Sequence, residues 1–556
     1  MKKTENKKKN FITANFSIAG NYIKEKYPFL LLFFFGFLII AGINLLKVST
    51  SNSVAGFDLQ DFEIGMIADR TIIAERTLPP DAIDTVTVMK GEKVIKKGFP
   101  VTEEGYAKLR KMSLSSVVID YRAFANNVLY LFLIAVAWYL LYSFFKFGRK
   151  IKLREPLLQV ILFLILYSTA TFSSRFSFFA NPFSICIVIP VGLCVMLITI
   201  LYGELSAIIF AFISGLSIIV ACGWTLPPAL FVLASSLCAV SIVRKIERRL
   251  DLVFASIVLS IFDVIMMLFL IIIFNEDITN KGYIFVGIFL NGFLSGILTL
   301  GFLTPLEYML NSASVFRLMD LSDLNNPLMQ KMLITASGTY NHSLMVAQLA
   351  ESGCREIGAN PLIARVGAYY HDIGKVDQSE YFVENQTGTN KHDDINPTLS
   401  ASIIKSHVKK GVEKARSLHL PQVIIDVISE HHGNSVIAYF YNEAKEKDPS
   451  LTPEDFSYPG NPPSSKESAV VMLADTVEAA CRTLENPSVS RLEKFITQLV
   501  NAKMEHKQLD NCDLTFKDVT KIKQAFVQIL VGYYHSRIEY PDQQDPDKAA
   551  EKKDEK

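Results

Sequence analysis

The chain has 556 residues, half of them hydrophobic, and a mean hydropathy of +0.28. That length predicts more than one domain, and the hydropathy excludes an ordinary soluble protein in favour of one with a membrane sector. The net charge of +1 averages unlike regions, and seven cysteines without a CxxC pair exclude a disulfide framework and a zinc knuckle.

Residues 1–27 open with Lys2, Lys3, Lys7, Lys8 and Lys9 and read as a cytoplasmic N-terminal segment. The apolar run at 28–47 is long for the core of a signal peptide and no A-x-A site follows it, so it reads as an uncleaved transmembrane anchor. Residues 48–123 are polar and read as a short extracytoplasmic domain. Within it, alternating Thr85-Val86-Thr87-Val88 and the pair Val94-Ile95, broken by Gly91 and Gly98, predict short strands, and a helix follows from Thr102.

Residues 124–304 hold apolar segments near 124–145, 156–173, 183–201, 204–221, 226–243, 252–274 and 282–304. A span takes about 20 apolar residues, so these predict a seven-helix transmembrane domain, or eight spans with the anchor. Loop charges orient it. Lys146, Arg149, Lys150, Lys152 and Arg154 lie in one predicted inner loop, and Arg244, Lys245, Arg248 and Arg249 in another. The short outer loops carry little more than Arg175 and Lys281, and this asymmetry places everything after about residue 305 in the cytoplasm. Inside the spans, Asp263 is expected to face the bundle interior, and the GxxxG of Gly292 and Gly296 reads as close helix packing.

Residues 305–541 carry apolar positions at helical spacing over 328–360, 398–420 and 464–486, with loops at 388–390 and 448–466. The charged stretch 542–556 reads as a disordered tail. The expected fold is an all-α membrane protein: a polytopic helical bundle plus a cytoplasmic all-α domain, with a small extracytoplasmic α+β segment.

All nine histidines lie after residue 341. Five of them join two aspartates in the series His342, His371-Asp372, His407, His431-His432 and Asp475. This is more than one metal ion needs, and it suits two ions sharing a carboxylate. Neighbours such as His371 and Asp372 cannot share a face of a regular helix, but they can converge where a helix is distorted. A mixed His/Asp shell fits two divalent metal ions, Fe(II) or Mn(II). Such a pair can hold a bridging hydroxide and stabilise an in-line displacement at phosphorus. His392, His419, His506 and His535 read as packed or exposed residues.

The segments ASGTYNHS (336–343), YYHDIGK (369–375), YFVENQ (381–386), EHHGNS (430–435) and LADTVEAACR (473–482) resemble the seven-transmembrane HD-domain phosphodiesterases of bacteria. The likeness runs from about Leu306 to Pro541. It implies a cytoplasmic HD domain in the bacterial inner membrane that hydrolyses the second messenger cyclic di-AMP to linear pApA. It also implies that His342, His371, Asp372 and Asp475 hold one metal ion, and Asp372, His407, His431 and His432 the other, with Asp372 bridging.

Lys375, one turn beyond His371, is a candidate to reach the phosphate, although a solvated lysine would sit there equally well. Arg482, two turns beyond Asp475, is a candidate for a second phosphate or a base. Asn385 and Asn434 are candidates for base or ribose contacts, or for ordinary loop hydrogen bonds. The implied partners are a cyclic dinucleotide, the lipid bilayer and a second copy of the chain in a homo-oligomer; no DNA or RNA polymer is expected.

Two departures stand out: Ser337 and Asn341 replace a proline and a histidine of the family segment, and residues 48–123 are short for the family's external domain. Three other readings compete. A cyclic di-GMP or alarmone hydrolase is one, but Gly433-Asn434-Ser435-Val436 stands where the cyclic di-GMP enzymes carry a GYP signature. A nucleotide-sensing membrane receptor should have lost some of the seven residues. A transporter should carry more ionisable groups in its spans.

Overall fold

A computed structural model describes residues 27–47, 49–50, 57, 59–74, 77–80, 86–114, 118–119, 121–144, 151–173, 176–179, 181–275, 281–386, 388–484 and 487–535. The segment ahead of Tyr27, the basic stretch 145–150, Thr85, Arg175 and the tail 542–556 lie outside the described residues. The chain divides into two compact units, Met1–Thr304 and Pro305–Lys556.

Among the described residues, seven helices that begin in the first unit are long and apolar enough to cross a membrane. They are α1 (Tyr27–Lys47), α3 (Tyr121–Phe144), α4 (Arg154–Ser173), α7 (Glu204–Ala221), α8 (Leu226–Val243), α9 (Arg249–Ile273) and α10 (Lys281–Leu310). The segment 183–201, expected as one continuous span, differs. It forms a four-residue helix α5 (Pro182–Ile185), a turn, and a 12-residue helix α6 (Val191–Tyr202). Pro190 is the physical reason: with no N–H and a ring that clashes with the carbonyl four residues back, it breaks the helix here and caps the start of α6.

Polar groups inside these helices pair across helix contacts. The buried Asp263 on α9 accepts from Ser235 Oγ on α8 at 3.1 Å, and Glu155 on α4 accepts from Ser206 Oγ on α7 at 2.6 Å. Gly292 and Gly296 let α10 lie against α9. A Cβ at Gly296 would come within 2.4 Å of Ser256 Cβ, and one at Gly292 within 2.8 Å of Ser260 Cα. The GxxxG is therefore a packing device.

Between α1 and α3 lies a small α+β segment. Strand β1 (Ser49–Thr50) pairs with β4 (Val118–Ile119), and β2 (Ile72–Ile73) pairs with β3 (Lys93–Ile95), both antiparallel. Of the strand expected at 85–88, the described residues 86–88 hold a single bridge, between Leu78 and Val88. Helix α2 (Glu103–Leu114) begins after Thr102, whose hydroxyl accepts the Gly105 N–H at 3.0 Å and caps it. Phe62, Ile72, Ile95, Val101 and Leu109 form its core.

The second unit is helical. Its elements are α11 (Val315–Leu321), α12 (Pro327–Thr335), α13 (Ser337–Glu356), α14 (Pro361–Tyr370), a 3-10 stretch (Ile373–Tyr381), α15 (Pro397–Ser417), α16 (Gln422–Glu430), α17 (Ala438–Lys447), α18 (Lys466–Cys481), α19 (Val489–Glu505) and α20 (Phe516–His535). Asparagine caps with proline at the first turn start α12, α14 and α15, which is a preorganised helix entry.

Two hydrophobic cores lie on opposite sides of α14 and α16. Ala364, Ala368 and Val427 enter one core with α13, α18, α19 and α20. Val366, Tyr370, Ile424, Ile425 and Ile428 enter the other with α11, α12 and Ala415 of α15. Both helices are thus clamped on two faces, and both end at the His/Asp cluster.

Gly374 sets the distance between the cluster's first turn and α15. A Cβ there would lie 1.9 Å from the His407 carbonyl oxygen and 2.7 Å from Gly411 N. Gly374→Ala is predicted to destabilise the second unit by about 3 kcal/mol and to displace His407. Gly388→Ala, with open space around its Cβ, should be neutral. Thermal unfolding of the detergent-solubilised chain checks this, and equal melting temperatures for the two variants would refute it.

Candidate metal centre

Two helix ends build the centre. Helix α14 stops at Tyr370, and His371 and Asp372 follow as the chain turns into the 3-10 stretch. Helix α16 stops at Glu430, His431 and His432 follow, and Gly433 with φ +54 reverses the chain. Adjacent side chains converge because the helix ends between them.

The last carbonyls of a helix lack N–H partners, and the histidines use them. His371 Nδ1 lies 2.7 Å from the Ala368 carbonyl, and His431 Nδ1 lies 2.8 Å from that of Ile428. His407, within α15, makes the same bond to Ile404 at 2.6 Å. A carbonyl only accepts, so each Nδ1 carries a proton and each ring turns its Nε2 toward the cluster.

Those nitrogens surround Asp372, which is 1% exposed. Its Oδ2 lies 3.2 Å from His371 Nε2 and 3.7 Å from His342 Nε2. Its Oδ1 lies 3.4 Å from His407 Nε2 and 3.7 Å from His431 Nε2. The two carboxylate oxygens therefore face two different donor sets. His407 and His431 also point their Nε2 atoms at each other across 3.3 Å. Buried lone pairs converging on a carboxylate repel one another unless a cation lies among them. The donor set fits that cation: Asp372, His407, His431 and His432 form one group, and His342, His371 and Asp372 another. Asp475 joins the second through its Oδ1, 3.1 Å from His342 Nε2, while its Oδ2 lies 3.6 Å from His432 Nδ1.

The electrostatics agree. Burial alone would raise the Asp372 carboxyl, but His371 and Lys375 hold it well below the usual carboxylate range. Burial holds His407 down at about 3, keeping its lone pair free across the physiological range. Burial and the neighbouring His431 hold His432 well below the usual value. His342 is opposite: burial lowers it, but the Asp475 and Glu478 carboxylates outweigh burial and raise it to about 10. A divalent cation bound there would take the place of that proton.

Lys375 Nζ lies 2.7 Å from Asp372 Oδ2 and 3.0 Å from Glu384 Oε1, over the Phe382 ring. It sits in the cluster, and not in solvent. Asn385 is occupied: its Oδ1 accepts from Thr339 N at 3.1 Å and its Nδ2 donates to Thr339 Oγ1 at 2.9 Å. Asn434 is exposed and accepts from Gln508 Nε2 at 2.6 Å. Arg482, 45% exposed, binds Glu478 Oε1 at 2.6 Å. His392 lies apart, bonded through Nε2 to the Tyr381 carbonyl at 2.7 Å. Ser337 and Asn341 are exposed, so these departures leave the cluster intact.

Three participants escaped the sequence reading. Glu478 bonds His342 Nδ1, Glu384 holds Lys375 and the Thr339 hydroxyl, and the Tyr458 ring stacks on His432 at 4.3 Å. Only Glu478 left a signal, lying one turn beyond Asp475 on α18.

An ordered His/Asp cluster on two helix ends of an all-helical unit defines an HD-domain hydrolase with a donor set suited to divalent cations. The HD domain family model matches residues 339–480, and the model for a 7TM receptor with intracellular HD hydrolase matches residues 124–314. The chain is 32% identical over 486 residues to the cyclic-di-AMP phosphodiesterase PgpH of Bacillus subtilis (strain 168), covering 84% of this chain and 67% of that protein. It is 31% identical over 492 residues to PgpH of Listeria monocytogenes serotype 1/2a (strain 10403S), covering 85% of this chain and 66% of the relative.

The crystal structure of the L. monocytogenes PgpH HD domain in complex with cyclic-di-AMP is 42% identical to it, covering 39% of this chain and 100% of that one at a TM-score of 0.37. The chain thus spans about two thirds of the length of these curated relatives. It belongs to the seven-transmembrane HD hydrolase family that includes the PgpH phosphodiesterases, and it is a multi-pass membrane protein.

Glu478→Gln is predicted to weaken binding of one of two Mn(II) ions about 10–100-fold, because His342 would lose its carboxylate support. The second ion, on rings held by backbone carbonyls, should be little affected. Mn(II) titration of the full-length protein followed by electron paramagnetic resonance separates the two; unchanged affinity at both sites would contradict the assignment.

Proposed function

We propose that this protein is a membrane-bound, metal-dependent phosphodiesterase that hydrolyses cyclic di-AMP to linear pApA on the cytoplasmic face, controlling the level of that second messenger. The carrying observation is the split of the Asp372 oxygens between two histidine sets, together with membership of the PgpH family. His342, His371, Asp372 and Asp475 would hold one divalent ion, and Asp372, His407, His431 and His432 the other. The mixed nitrogen and carboxylate donors favour Fe(II) or Mn(II). Bound, such ions supply Lewis acidity toward phosphoryl oxygens and lower the pKa of water in the site.

The chain's own residues orient and neutralise. The i−3 carbonyls fix the tautomers of His371, His407 and His431. Lys375 is buried between two carboxylates that outweigh burial and raise its pKa, so it stays charged. Its ammonium would pair with an oxygen of the phosphate being attacked. One water is consumed: its oxygen bonds to phosphorus, the bond from phosphorus to the ribose 3′ oxygen breaks, and that oxygen leaves with a proton. The products' ends are a 5′-phosphate and a 3′-hydroxyl, as in pApA. The basic loops at 145–155 and 244–251 support a cytoplasmic location for this chemistry.

The purified full-length protein, loaded with Mn(II) or Fe(II), is expected to convert cyclic di-AMP to pApA in preference to cyclic di-GMP and guanosine alarmones. Asp372→Ala should abolish turnover and release both ions, and chelation of the wild type should do the same reversibly. Chromatography of the nucleotides decides. Preferred turnover of another nucleotide, or none with two ions bound, would overturn the proposal.

A further inference from the structure

A polar cluster outside the seven-residue set lies against the loop that follows His432. Lys503, near the end of α19, donates to Ser435 Oγ at 3.0 Å. Among the described residues no carboxylate lies within ion-pairing distance of it. Gln508 is 4% exposed and held by backbone: Lys507 takes φ +57, and the Gln508 N–H returns to the Lys503 carbonyl at 3.0 Å. Its Nε2 donates to Asn434 Oδ1, while its buried Oε1 has no partner. That oxygen is pressed against Gly433, where a Cβ would lie 2.3 Å from it. The cluster thus adjoins the His431-His432 turn directly.

A half-buried ammonium without a counter-ion is costly to keep. Burial pushes Lys503 below the ordinary lysine value, and the Asp475 carboxylate acts in the opposite direction, which places the two within each other's field. Asp475 cannot serve as its partner, because both its oxygens already face His342 and His432. An anion from outside the chain would supply the missing charge. A cyclic dinucleotide carries two phosphates, and the His/Asp cluster has room in its chemistry for the one under attack.

We propose that Lys503, with Ser435 and Gln508, is the subsite for the other phosphate of the cyclic dinucleotide, an inference that rests on the substrate reading above. Ser435 steers the ammonium, and Gln508 braces the turn after His432 through Asn434. Selectivity for a two-phosphate substrate over a simple diester then arises from a residue that touches neither metal ion.

The test uses full-length protein with Mn(II), cyclic di-AMP, and bis(4-nitrophenyl) phosphate, a diester with one phosphate. Lys503→Met is expected to raise KM for cyclic di-AMP on the order of 10–100-fold, the loss of a charge-assisted contact. Activity on the simple diester and a content of two metal ions should be retained. Lys503→Arg should keep KM within about threefold of wild type, since it restores the charge. An unchanged KM in Lys503→Met would overturn the subsite. So would a parallel loss on both substrates with loss of metal, which would make Lys503 structural. If the wild type cleaves the simple diester but not cyclic di-AMP, the substrate reading itself fails and the subsite falls with it.

Discussion

Everything in the catalytic unit is arranged around one buried carboxylate with nitrogens on both sides. Asp372 has no water to share its charge with, and its two oxygens face different histidine sets. Lys375 neutralises it on one side only, at Oδ2. Its Oδ1 faces the Nε2 atoms of His407 and His431, themselves 3.3 Å apart. Crowding buried lone pairs around a carboxylate is costly, and positive charge between the rings would relieve it. The cluster is best understood as a folded unit completed by cations.

Strong packing must hold such a cluster together, and the two cores supply it. Each fully buried Val, Leu or Ile side chain contributes roughly 1.5–3 kcal/mol. The cores flanking α14 and α16 hold many of these, including Val346, Leu349, Val470 and Ile496 on one side and Ile373, Ile424 and Ile428 on the other. That sum exceeds the repulsion among a few lone pairs. Each helix also points its carboxyl end at the cluster, where the partial negative charge of the helix favours a cation. Packing and dipole therefore act in the same direction.

Much of this was legible in the sequence because four of the seven cluster residues come as adjacent pairs at helix ends. The HD and HH pairs could be read as sites of convergence, and the structure gives the reason: α14 and α16 end there. Most long membrane helices were also readable from apolar runs. The break in 183–201 was hidden because Pro190 interrupts geometry without interrupting hydropathy. Asn385 carried the composition of a binding residue, yet both ends of its amide are used within the fold. Lys503 and Gln508 were invisible for the opposite reason. They lie far along the chain from His432, and only tertiary folding brings α19 against that turn.

The two halves of the cluster are chemically unequal, and this bears on how it works. The half at His342 has Asp475 in front and Glu478 behind, and Arg482 in turn binds Glu478. A histidine backed by a carboxylate is a more basic donor than one backed by a carbonyl. The half at His407, His431 and His432 offers imidazole nitrogens, with Asp372 as its shared anion. Hard, charge-seeking cations are favoured in the first half, and ions that accept nitrogen donors in the second. Lys375 also sits on the first side, where its charge offsets that of the extra carboxylate and keeps Oδ2 from being overcommitted. The nitrogen-rich half, with less negative charge, lies next to the turn from His432 to Ser435 that Lys503 and Gln508 line.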